Sequence, residues 1–107
     1  GSKVSANIKF DQIEFIDGAI NAALNGTIPG GTKRNLSFIK DSIIFSEKLN
    51  ETKQYLLADA QTSGGLLISV SNEKASKLES ALIKEGCFAM NIGTIDNLID
   101  EKYIRVS

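Results

Sequence analysis

Within seven residues the chain sets a carboxylate, an amide, two hydroxyls and two adjacent glycines: Asp59-Ala60-Gln61-Thr62-Ser63-Gly64-Gly65. An unbroken apolar run, Leu66-Leu67-Ile68, follows at once. Gly64 and Gly65 let the backbone take positive φ and approach a neighbour closely. Successive N–H groups in such a bend form a concave nest for an anion or phosphate. The plainer reading of the same residues is a tight turn feeding a buried strand, with Thr62 and Ser63 bonded to local backbone. A second run of this kind, Thr27-Ile28-Pro29-Gly30-Gly31-Thr32-Lys33-Arg34-Asn35, carries the only proline. It reads as a loop with a defined turn. Its plain reading is a connector, with Thr32 and Asn35 capping a short helix over Leu36, Phe38 and Ile39.

Other chemistries are excluded by composition. Cys87 is the only cysteine and histidine is absent, so neither a disulfide framework nor a Cys/His zinc site can form. A Cys–His or Ser–His nucleophile pair cannot be assembled either. Cys87 itself reads as a small buried hydrophobe. The net charge of −1, the isolated Lys33-Arg34 pair and the lack of tryptophan leave no electrostatic footprint or stacking platform for nucleic acid. No apolar run approaches the ~18 residues of a membrane span, and no signal peptide is seen, which points to the cytoplasm. Gly1-Ser2 resembles the remnant of a cleaved expression tag. Residues 3–107 then suit one small domain, cut from something longer, and the 42% hydrophobic content is enough for a core.

Period-two alternation predicts a strand over residues 4–10, with Val4, Ala6, Ile8 and Phe10 on one face and Ser5, Asn7 and Lys9 on the other. Ile16, Ala19, Ile20, Ala23 and Leu24 have helical spacing, with Asp17 as N-cap and Gly26 as the residue that stops the helix. Residues 41–46 suit a short strand or edge segment. A helix is expected over 49–59, with Asn50 as N-cap and Glu51 in the first turn. Residues 65–71 read as the clearest strand of all, and a central one. A helix carrying Ala75, Leu78, Ala81 and Leu82 follows, stopped by Gly86. Strands over 87–95 and 103–106 close the chain, so residues 65–95 are expected to form a β–α–β unit. The class is α+β: a mixed β-sheet with helices packed on it.

Four stretches resemble the selenophosphate synthetase (selenide, water dikinase) family: Ile16-Asp17-Gly18-Ala19, Ile28-Pro29-Gly30-Gly31-Thr32-Lys33-Arg34-Asn35, Asp59-Ala60-Gln61-Thr62-Ser63-Gly64-Gly65-Leu66-Leu67, and Asn91-Ile92-Gly93-Thr94-Ile95. They come in the family's order and cover most of residues 4–107. Ala60 departs from the pattern, standing where the family usually has Pro. The resemblance implies a C-terminal domain like that of aminoimidazole ribonucleotide synthetase (AIR synthase). Its parent transfers phosphate from ATP to selenide, using magnesium, to give selenophosphate, AMP and phosphate.

It also implies that the ATP-binding domain, the catalytic Cys or selenocysteine and the metal-binding aspartates lie on a missing N-terminal part. On that reading this piece has no catalytic or metal-binding residue, binds no cofactor and is inactive alone. The parent is expected to be a homodimer held through the missing domain, leaving the fragment monomeric. The residues expected to face phosphate or the other domain are Gly30, Gly31, Thr32, Asn35, Asp59, Gln61, Thr62, Ser63, Gly64 and Gly65. Two alternatives stand beside this one: a stand-alone ferredoxin-like regulatory module that binds a small molecule, and the C-terminal domain of another enzyme of the same superfamily.

Overall fold

The computed structural model describes residues 2–61 and 64–107. Four strands form one mixed sheet in the order β2-β4-β1-β3, with β1 at Val4–Ile8, β2 at Ile43–Phe45, β3 at Gly93–Asn97 and β4 at Ile104–Val106. β1 pairs antiparallel with β3 and parallel with β4, and β4 pairs parallel with β2. The helices are α1 (Ala19–Leu24), α2 (Gly30–Ile39), α3 (Glu51–Leu57) and α4 (Asn72–Lys84). The expected class, α+β with a mixed sheet, is what the chain forms.

Its core is small and one-sided. Phe10, Leu49 and Val106 are buried, and Ile8, Phe15, Ile43, Phe45, Leu56, Leu57 and Ile104 pack around them. The Phe10 ring sits 5.4 Å from that of Phe15, and the Lys53 ammonium lies 5.0 Å from the Phe10 ring centre. α3 reaches this core because its start is fixed: the Asn50 side chain accepts the Lys53 N–H at 3.0 Å, as expected of an N-cap. Gly26 and Gly86, both at φ 78°, end α1 and α4. In each case the glycine N–H and the next one turn back to the last carbonyls of the helix, Ala23 and Ala22 for α1, Ile83 and Leu82 for α4.

Five details differ from the sequence-based expectations. Asp17 does not cap α1; Gly18 holds that position at φ 85°. Ser5, placed on the polar face of β1, is fully buried. Its hydroxyl donates to the Lys102 carbonyl at 2.7 Å and accepts the Ile99 N–H at 3.1 Å, so the burial is compensated. Residues 65–71 are exposed and, among the described residues, belong to no strand of the sheet. Of the expected 87–95 strand only residues 93–95 join the sheet, as part of β3, which runs antiparallel to β1. The β–α–β unit is therefore not formed. Cys87 is exposed rather than buried.

Candidate functional site

Pro29 serves as the N-cap of α2, so Gly30, Gly31 and Thr32 form the first helical turn rather than a loop. Proline and paired glycines look like punctuation in a sequence. At the start of a helix they fit without loss, because the first N–H groups of a helix have no partner within it. Thr32 and Asn35 do not cap that helix; they lie inside it and join it to the end of α3. The Thr32 hydroxyl, only 1% exposed, donates to Asp59 Oδ1 at 3.0 Å and accepts the Ala60 N–H at 3.4 Å. One turn later, Asn35 Nδ2 donates to the Ala58 carbonyl at 3.1 Å. Asp59 is held from its other oxygen as well, accepting from Gln61 Nε2 at 3.3 Å.

Gly31 lets the two segments meet. A Cβ there would stand 3.3 Å from the Ala60 Cβ, tighter than ordinary contact, so a side chain at residue 31 would push α2 and residue 60 apart by a few tenths of an ångström. The site thus brings together Gly31, Thr32, Asn35, Asp59 and Gln61, with Ala58 buried beneath. Gly30, on the same turn of α2, is exposed. Thr62 and Ser63 lie outside the described residues. Gly64 and Gly65 follow them as exposed backbone, and Gly65 does not take the positive φ that their pairing suggested. The contacts through the Ala58 carbonyl and the Ala60 methyl were not legible beforehand, since nothing in an Ala-Asp-Ala run marks it as a docking surface.

Chemically the site offers neutral donors at the start of α2 beside one engaged carboxylate. Among the described residues no group of three or more Asp, Glu, Cys or His could hold a metal ion. Two shallow concavities, of about 340 and 290 Å³, lie elsewhere: one between Lys9, Asp11, Gln12, Ser46, Lys48 and Ser107, the other along Lys9, Gln12, Asn91, Gly93 and Thr94. Neither includes a residue of the Thr32–Asp59 junction. Among the described residues no helix is long and apolar enough to cross a membrane.

Comparison with known proteins adds the remaining observation. Over 94 residues the chain is 40% identical to a selenide, water dikinase of Myxococcus xanthus (strain DK1622), a match that covers 88% of this chain and 27% of that protein. The chain is a relative of the selenide, water dikinases. It is 38% identical over 76 residues to the selenide, water dikinase of Aliarcobacter butzleri (strain RM4018), covering 71% of this chain and 22% of the other. With that of Carboxydothermus hydrogenoformans (strain ATCC BAA-161 / DSM 6008 / Z-2901) the identity is 40% over 90 residues, or 84% and 26%. The chain spans about a quarter of the length of these curated selenide, water dikinases. No family model matches it.

Proposed function

We propose that this chain is the C-terminal domain of a cytoplasmic selenide, water dikinase, and that the Thr32–Asp59 junction faces a nucleotide-binding domain of the same polypeptide. The parent then makes selenophosphate from selenide and ATP, releasing AMP and phosphate. ATP and magnesium belong to that other domain, through which the parent also dimerises. The observation that carries the reading is the identity of up to 40% with selenide, water dikinases over most of this chain. The apposition of α2 and residues 58–61 supports it, because two of the four family-like stretches meet there.

Phosphoryl transfer depends on positioning and on neutralising charge on non-bridging oxygens, without covalent work by the protein. The start of α2 presents N–H groups from Gly30 and Gly31 and the positive end of a helix dipole. The buried Thr32–Asp59 bond holds that helix start in place. Thr62 and Ser63 are the hydroxyls proposed to act beside it. The stand-alone regulatory module loses its basis, since the β–α–β core it needed is not formed.

The test is selenide-dependent AMP formation from ATP by a full-length protein carrying this segment, beside the chain alone. The full-length protein is expected to form AMP, and the chain alone none. Full-length protein that is folded, binds ATP and forms no selenide-dependent AMP overturns the assignment. Within the active enzyme, the double substitution Thr62→Ala and Ser63→Ala separates a phosphate-facing loop from a mere seam. A fall in turnover of about tenfold or more at unchanged melting temperature, as for removal of transition-state donors, supports the former. Unchanged turnover removes it.

A further inference from the structure

Gln61 is exposed, yet its side-chain amide is engaged at both ends. Nε2 donates to Asp59 Oδ2 at 3.3 Å. Oε1 lies 3.2 Å from the place a Cβ at Gly64 would take, closer than ordinary van der Waals contact. One side chain therefore reaches from Asp59 to Gly64. Thr62 and Ser63 are the residues between Gln61 and Gly64 in the sequence.

The direction of that amide is set by the groups beneath it. The Thr32 hydroxyl has a single proton and two lone pairs. It accepts the Ala60 N–H at 3.4 Å, so its proton is left for Asp59 Oδ1 at 3.0 Å. A carboxylate only accepts. Asp59 therefore meets Gln61 through the amide nitrogen and not the oxygen, which leaves Oε1 as an acceptor against Gly64. Thr32 is only 1% exposed, so this anchor has no water to take over its bonds, and losing them leaves buried groups unsatisfied.

We propose that Gln61 is a positioning residue for the parent's reaction: oriented by Thr32 through Asp59, it sets the span from residue 61 to residue 64 that carries the two hydroxyls. This role rests on the reading that Thr62 and Ser63 act beside the transferred phosphate. It requires a polarity that neither a tight turn nor a seam between domains demands, with nitrogen toward Asp59 and oxygen toward Gly64. Donors to a transition state have to be placed in advance, and a displacement of about 1 Å costs on the order of 100-fold in rate. ATP binding, assigned to the other domain, does not depend on this amide.

Selenide-dependent turnover of the full-length protein tests it. Gln61→Glu sets a second carboxylate against Asp59 and breaks the contact at an exposed position. Asp59→Asn still accepts from Thr32 but offers Gln61 an N–H, so the Gln61 amide turns over and its nitrogen faces Gly64. Each is expected to lower kcat about tenfold or more, with KM for ATP within about twofold and the melting temperature unchanged. The double variant, Asp59→Asn with Gln61→Glu, exchanges donor and acceptor at constant net charge. The new amide donates to the new carboxylate, whose second oxygen again faces Gly64, and most of the lost kcat is expected to return. Undiminished kcat in Gln61→Glu overturns the proposal, and so does a double variant no faster than the single ones. An unsubstituted full-length protein that forms no selenide-dependent AMP overturns instead the functional reading on which the role rests.

Discussion

The sheet with α3 and the segment around α4 are built from similar residues and end in different states. Leu49 is 5% exposed; Leu67, in an equally apolar run, is 77% exposed. Around Leu49 the sheet closes on itself: β4 lies between β1 and β2, the Ser46 N–H reaches the Val106 carbonyl, and Phe10 N–H bonds to Ser107. Around Leu67 no element closes among the described residues. The residues there have the β-branched and aliphatic character of a central strand, and they stay exposed because, among the described residues, no strand pairs with them. Propensity sets what a segment is able to do; a partner sets what it does.

Leucine truncation in the two regions breaks or sharpens this contrast most strongly. Leu49→Ala removes buried methyl groups and leaves a cavity, with an expected cost of about 2–5 kcal/mol. The same change at Leu67, which is 77% exposed, is expected to stay within about 0.5 kcal/mol. Urea denaturation of both variants measures the pair. Equal losses mean that residues 65–71 are packed in the single chain after all.

Ser5→Ala comes next in size. It strips the Ile99 N–H and the Lys102 carbonyl of their partner in a buried place, an expected cost of about 1–3 kcal/mol. The connection it holds is costly in itself, since Asp100 and Glu101 both sit at positive φ, 50° and 55°. Asp100 is also tied to Arg105 by a 3.2 Å ion pair at the surface, which contributes little by comparison. Hydrogen exchange at the Ile99 amide reads the effect directly. Protection that survives Ser5→Ala makes the serine incidental to the packed half.

Helix boundaries were legible where a side chain or a glycine acts locally. Asn50 caps α3 and Gly26 and Gly86 end α1 and α4 through bonds spanning only a few residues. The mixed α+β class was legible too, because alternation and helical spacing report on faces. Apart from the Asp17 cap, most of what failed was settled at long range. Ser5 looked polar and outward, yet its partners lie 94 and 97 residues away. Pro29-Gly30-Gly31 looked like a loop, yet it starts α2, with Gly31 placed where a Cβ would stand 3.3 Å from the Ala60 Cβ. Gly93 is bound far more tightly, since an added Cβ would run into the Asn7 carbonyl across the sheet. Of the candidate site, the residue types were visible in advance. The junction of α2 with residues 58–61 was visible only as a grouping of family-like stretches, not as the Thr32–Asp59 bond itself.

The smallest effect lies on the solvent side of α3. The Tyr55 hydroxyl donates to Glu51 Oε1 at 2.9 Å, one helical turn away. That bond, then desolvation, then the carboxylate's charge hold the Tyr55 pKa above the ordinary tyrosine value. An acid whose folded pKa is raised adds its stability in full below the unfolded value, near pH 10, and loses it as pH climbs through the folded value. Tyr55→Phe is therefore expected to melt slightly below the parent chain at pH 7. The gap should close above about pH 10, as the phenolate forms beside Glu51. Melting curves of the two proteins from pH 7 to pH 11 check the sign. A gap that stays constant across this range shows that the tyrosine acts through packing on α3 rather than through its proton, and the surface of the packed half then owes nothing to this pair.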